Sequence, residues 1–104
     1  MTTTLLYVEF SSDGPFGSDA ATAYAELAAD IAAEEGLVWK VWTENPQDDK
    51  AGGVYLFADE ESATRYVEKH TARLGSFGIT DATMKLFTAN RDLSETTFAV
   101  LDKP

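Results

Sequence analysis

His70 is the sole histidine of the chain and the one side chain whose ordinary pKa lies near neutrality. Ala63, Tyr66, Val67, His70 and Leu74 recur at helical spacing, so His70 shares an apolar stripe with Tyr66. One reading is a core histidine satisfied by a backbone carbonyl. The other is a general base where helix meets sheet, kept neutral by burial and ready to accept a proton. Trp39, Trp42, Tyr55 and Phe57 could line a slot for a flat aromatic molecule, since ligand sites are mostly apolar with a few polar groups. Packing is the competing use of the same rings. Trp39 and Trp42 are three apart on a period-two stretch, so at most one of them joins a given cavity. In the catalytic reading His70 handles protons with Tyr55 or Tyr7, Tyr66 lies beside it, and Trp39, Phe57 and Phe16 position a ring.

Other chemistries find little to work with. The chain has no cysteine, which removes disulfides, thiolate metal sites and cysteine nucleophiles together. One histidine leaves few ligands for a transition metal, and no metal or cofactor is expected. Glu34-Glu35, Asp48-Asp49 and Glu60-Glu61 read as solvated charge or helix-end carboxylates. Gly14-Pro15-Phe16-Gly17 lacks the glycine spacing and lysine of a phosphate loop; it reads as a simple turn or as a lid carrying Phe16 over a cavity mouth. A net charge of -10 and a pI near 4.3 argue against nucleic acid and anionic membrane surfaces as partners. The Met1–Thr4 start carries no basic segment before a long apolar run, and no stretch could span a bilayer. A cytoplasmic protein is the expectation.

The elements that must position these residues follow from periodicity. Leu5–Phe10 alternates as a strand, with Leu6, Val8 and Phe10 on one side. Ser11 to Pro15 breaks it. A helix capped by Ser18 carries Tyr24, Leu27, Ala28 and Ile31 on its stripe and ends at Gly36. Leu37–Glu44 and Ala51–Ala58 form a hairpin across a polar loop holding Pro46. The alternation puts Leu37, Trp39 and Val41 on one face of the first of these strands. Gly52-Gly53, costly within a strand, calls for a bulge or a close approach by another backbone or ligand. Asp59 caps a second helix that Gly75 or Gly78 stops, and Ile79–Thr88 is the last strand.

The order βαββαβ predicts one α+β domain over residues 1–104, a ferredoxin-like four-stranded antiparallel sheet with two helices on one face. The hairpin strands are apolar on both sides, so the bare face asks for a second subunit or a ligand. A symmetric homodimer is the simplest closed solution, with the apolar tail, residues 90–104, available to reach the partner.

GPFG (Gly14–Gly17), LVWKVWTE (Leu37–Glu44), AGGVYLF (Ala51–Phe57) and EKHTARL (Glu68–Leu74) together resemble the YdhR family of small bacterial proteins assigned to monooxygenase chemistry. The similarity runs from the first strand through the second helix in order and spacing; the last strand and tail match less distinctively. The resemblance implies a dimeric α+β barrel and kinship with cofactor-free monooxygenases of aromatic polyketide biosynthesis. In those proteins a tryptophan and tyrosine or asparagine residues contact substrate. No asparagine maps here, because Asn45 lies in a turn and Asn90 past the last strand. The reading this supports is a cofactor-independent monooxygenase acting on a small aromatic, phenolic or quinol-type compound. The alternatives are a non-catalytic dimer that sequesters an apolar metabolite and, further off, a haem protein with His70 as axial ligand.

Overall fold

The computed structural model describes residues 3–103; the first two residues of the Met1–Thr4 start and Pro104 at the end of the tail lie outside them. Four strands, β1 (Thr4–Ser11), β2 (Leu37–Asn45), β3 (Lys50–Phe57) and β4 (Thr83–Thr88), form one antiparallel sheet in the order β2-β3-β1-β4. Three helices punctuate it: α1 (Gly17–Ala23), α2 (Ala25–Ala32) and α3 (Glu60–Ser76). A fourth, α4 (Arg91–Thr96), follows β4. The ferredoxin-like α+β fold is therefore as the element order predicts. Among the described residues no helix is long and apolar enough to cross a membrane.

The sheet's two faces carry different loads. Residues opposite one another in an antiparallel ladder point to the same side, so the rows Leu37–Phe57–Thr4, Lys40–Tyr55–Leu6 and Trp42–Gly53–Val8 share the helix-covered face. Leu6, Val8, Leu37, Tyr55 and Phe57 pack there with Ile31 of α2 and Ala63, Tyr66 and Leu74 of α3 to make the core. The opposite face carries two further rows, Trp39–Leu56–Leu5–Phe87 and Val41–Val54–Tyr7–Lys85. Val41 and Phe87 there are 55% and 50% exposed.

Four details depart from the sequence expectation. A register shift between Leu37 and Trp39 inserts an extra residue, which sends Leu37 to the covered face and leaves Trp39 and Val41 on the other. The ladder instead runs regularly through Gly52 and Gly53. Their glycines answer to close approach, because a Cβ at Gly52 would meet the Val8 carbonyl and one at Gly53 would stand 2.7 Å from Lys40 Cε. The first helix breaks at Tyr24, whose φ of -107° and ψ of 15° lie outside helical geometry, and Phe16 rather than Ser18 precedes it as N-cap. β4 begins at Thr83 because the preceding loop is tied elsewhere: Asp81 accepts the Ser11 amide through both carboxylate oxygens at 3.3 and 3.2 Å.

The tail is folded against its own chain. Asn90 caps α4 by accepting the Leu93 amide at 3.1 Å, the Trp39 indole donates to the Val100 carbonyl at 2.7 Å, and Leu101 is buried.

Candidate active site

α3 presents Tyr66, His70, Arg73 and Leu74 along one side, toward the sheet and α2. Asp59 starts the helix by accepting the Ser62 amide at 2.7 Å, and that bond holds its carboxyl below the usual range. Ser62 is buried against Gly36 at the entry to β2. Gly36 has φ +86°, and a Cβ there would collide with the Ser62 side chain. The two residues fix how closely α3 approaches the hairpin.

From the sheet, β3 offers Tyr55 and Phe57, both buried. Their rings stack at 6.1 Å and both lie against Tyr66, at 5.0 Å for Tyr55 and 5.5 Å for Phe57. Four polar groups meet inside this aromatic shell. Arg73, anchored to Asp30 of α2 at 2.7 Å, donates from Nε to His70 Nδ1 at 3.3 Å and from Nη2 to the Tyr66 hydroxyl at 3.3 Å. A guanidinium has no acceptor, so Nδ1 is the acceptor and the neutral ring carries its proton on Nε2. That nitrogen faces the Tyr55 oxygen at 3.5 Å, and Tyr66 donates to the same oxygen at 3.3 Å. The Tyr55 oxygen thus receives two bonds, and its own proton is left for whatever lies in front of it.

What lies in front is a cavity of about 460 Å³ between the covered face of the sheet and the helices. Phe10, Tyr24, Leu27, Trp42, Leu74 and Ile79 supply apolar wall; Lys40, Tyr55 and His70 supply the inner polar groups; Ser11 to Pro15 border it. Tyr24, the residue at the helix break, stacks on Trp42 at 6.3 Å and 13°. Lys40 reaches in from β2, its Nζ 3.4 Å from the centroid of the Trp42 ring and 4.6 Å from that of Tyr55.

The electrostatics follow from burial. The Tyr55 phenol is pushed far above its ordinary range, first by burial and then by Tyr66, so it is a neutral hydrogen-bond donor. His70 is pushed down to about 4 by burial, then by Arg73 and Lys40. It is neutral at physiological pH, as expected, but the lone pair a base would use is engaged by Arg73. Lys40 is lowered to about 7, by burial first and Arg73 second. The site can therefore donate a hydrogen bond to a developing oxyanion and hold a cation or a free amine next to it.

The chain matches the family described as "Putative mono-oxygenase ydhR" over residues 5–100. It belongs to this family. No curated protein sequence matches it. Among solved structures it is similar to SnoaB from Streptomyces nogalater, described as a cofactor-independent oxygenase, with 18% identity, a TM-score of 0.62, and coverage of 86% of this chain and 95% of that one. A protein from Deinococcus radiodurans described as a putative antibiotic biosynthesis monooxygenase has 13% identity and a TM-score of 0.56 over 84% of this chain and 92% of that one. At these identities the likeness is one of fold.

Within the ydhR-family framework, the structure brings some predicted residues together and separates others. Tyr55 and His70 line the cavity. Tyr66 and Phe57 stand directly behind them as core rings. Phe16 sits one layer out, its ring 3.5 Å from the Cβ position of Gly14, while Gly14 and Pro15 themselves border the cavity. The α1 amino terminus beside it is occupied by the chain's own Glu44, which accepts the Gly17 amide at 2.9 Å. Trp39 and Tyr7 are on the far face of the sheet, away from His70. Haem ligation by His70 fits poorly, since it is 4% exposed and both ring nitrogens face partners within the protein.

Lys40, Trp42 and Tyr24 complete the site, and of these only Trp42 was in view from sequence. The available signal for Lys40 was a single cation inside LVWKVW, two residues before Trp42 and so on its face.

Proposed function

We propose that the protein is a cofactor-independent monooxygenase that oxidises a small phenolic or quinol-type ring in the cavity over Tyr55. The observation that carries this reading is the Tyr55 hydroxyl, held as an acceptor by His70 and Tyr66 and free to donate into an aromatic-walled cavity. Its volume of about 460 Å³ falls within the roughly 300–1,000 Å³ of small-molecule sites. Family membership and the SnoaB-like fold support the same reaction class.

An electron-rich ring needs little from its host. Once the ring hydroxyl is ionised, the phenolate reduces dioxygen and a carbon–oxygen bond forms. One oxygen atom stays on the ring carbon and the other leaves as water. The ring's own C–H and O–H supply both hydrogens, so phenol and dioxygen give quinone and water with no external reductant. Tyr55 stabilises the oxyanion, Trp42 and Tyr24 hold the ring, and His70 with Arg73 fixes the direction in which Tyr55 donates.

The working unit in this reading is a homodimer that covers the two apolar rows on the open face. Sedimentation should give twice the chain mass at micromolar concentration; a lone chain would contradict it.

The test of the reaction is oxygen uptake by purified protein across a panel of quinols and naphthols. Tyr55→Phe should lower turnover about 10²-fold, with a smaller change in KM. Uptake unaffected by that substitution would refute the role given to Tyr55. Saturable binding without any uptake would leave a sequestering module.

A further inference from the structure

Lys40 has no structural partner that explains its place. The bulge at the start of β2 turns it onto the covered face, and its stem crosses Gly53, where a Cβ would stand 2.7 Å from Cε. The amine ends over the Trp42 and Tyr55 rings. Among the described residues it makes no hydrogen bond or ion pair. An ordinary surface lysine stays in water, and a structural buried one finds a carboxylate.

The charged and titratable groups around it come from every neighbouring element. β3 supplies Tyr55, α3 supplies His70 and Arg73, the helix break supplies Tyr24, the rim loop supplies Asp13, and β2 itself supplies Glu44. Of the two rim carboxylates, Glu44 is turned onto the Gly17 amide, and neither it nor Asp13 forms an ion pair with Lys40. The nearest cations, Arg73 and a protonated Lys40, disfavour one another. The interior therefore lacks an anion, and Lys40 faces the cavity with capacity to spare.

We propose that Lys40 is the base that ionises the substrate and the counter-ion that then holds it, so the site selects rings bearing an acidic hydroxyl. The proposal rests on the reading of the cavity as an aromatic site. Its neutral amine takes the hydroxyl proton; the O–H bond breaks, the N–H bond forms, and a neutral pair becomes an ammonium–phenolate pair with no other reactant. The Tyr55 hydroxyl donates to the oxyanion from one side and the Lys40 ammonium from the other. With its pKa near 7, the amine is available in substantial part at neutral pH.

The experiment uses 4-nitrophenol and its methyl ether 4-nitroanisole as probes, because nitrophenol and nitrophenolate absorb at different wavelengths. Each is titrated into full-length protein at a pH where free nitrophenol is mostly protonated. Wild type should bind both and should raise the phenolate-to-phenol ratio of the bound nitrophenol about tenfold or more over water. Lys40→Met should bind the ether as before and lose that gain. Lys40→Arg, a permanent cation, should keep the phenolate band while abolishing a turnover step near pH 7. Bound nitrophenol that stays neutral in wild type, or a phenolate gain that survives Lys40→Met, would overturn the role of Lys40 alone. Binding of neither probe would overturn the aromatic site and this inference with it.

Discussion

His70 and Tyr55 touch through a single long contact, and the burial that makes Tyr55 a donor also sets the pH behaviour of His70. In the unfolded chain His70 titrates near its ordinary 6.5, whereas in the folded protein it is held at about 4. Between those values the unfolded chain binds the proton first, so stability falls as pH drops from about 6.5 toward 4 and is unaffected by this group above that window. The shift corresponds to roughly 3 kcal/mol at its full extent. His70→Gln should flatten the stability–pH curve between pH 6.5 and 4, as read from urea midpoints at a series of pH values. An unchanged slope would mean that another group controls the window. At this scale the sequence gave up the pair His70 and Tyr55 because both fall on apolar stripes of opposite elements. It misplaced Trp39 and passed over Lys40 for one reason: a single extra residue in β2 reverses which face each side chain takes, and nothing in LVWKVW marks where that residue sits.

Elements set the spacing of the site through two backbone devices. α3 holds Tyr66, His70 and Arg73, and its first turn is pinned by the Asp59 cap and by Ser62 against Gly36. Because Gly36 has φ +86° and no room for a Cβ beside Ser62, Gly36→Ala carries both left-handed strain and an overpacked contact. It should cost about 2–4 kcal/mol, measured as a lowered urea midpoint with unchanged m-value. A midpoint within error of wild type would show that the turn can relax. Gly36 and Asp59 were readable in the sequence because helix ends have strong residue preferences. The break at Tyr24 was not: the alanine-rich run from 20 to 33 is helical by propensity throughout, and only the tertiary stack of Tyr24 on Trp42 accompanies the departure. Likewise Ile79 to Ala82 alternates like a strand, yet Asp81 spends its carboxylate on the Ser11 amide. α4 hid behind an asparagine cap followed by a polar turn with too few apolar residues to show a stripe.

The whole molecule offers an aromatic ligand two apolar surfaces, and they lie on opposite sides of one sheet. The covered side has the cavity with Tyr55, Lys40 and Trp42; the open side has Trp39, Leu56, Leu5 and Phe87 in a row. The order of elements fixed the existence of both faces in advance, since four strands with two apolar sides and helices for only one of them leave a remainder. Which face holds the chemistry could be decided only by side-chain register. The chain has two tryptophans, and each reports on one side: Trp42 borders the cavity, and Trp39 lies on the open face with its indole bonded to the Val100 carbonyl. Fluorescence quenching by a bound naphthol, compared between Trp39→Phe and Trp42→Phe, therefore locates the ligand. The cavity assignment predicts that Trp39→Phe keeps saturable quenching and that Trp42→Phe loses most of it. Quenching that follows Trp39 and persists without Trp42 would place the ligand on the open face and contradict the assignment.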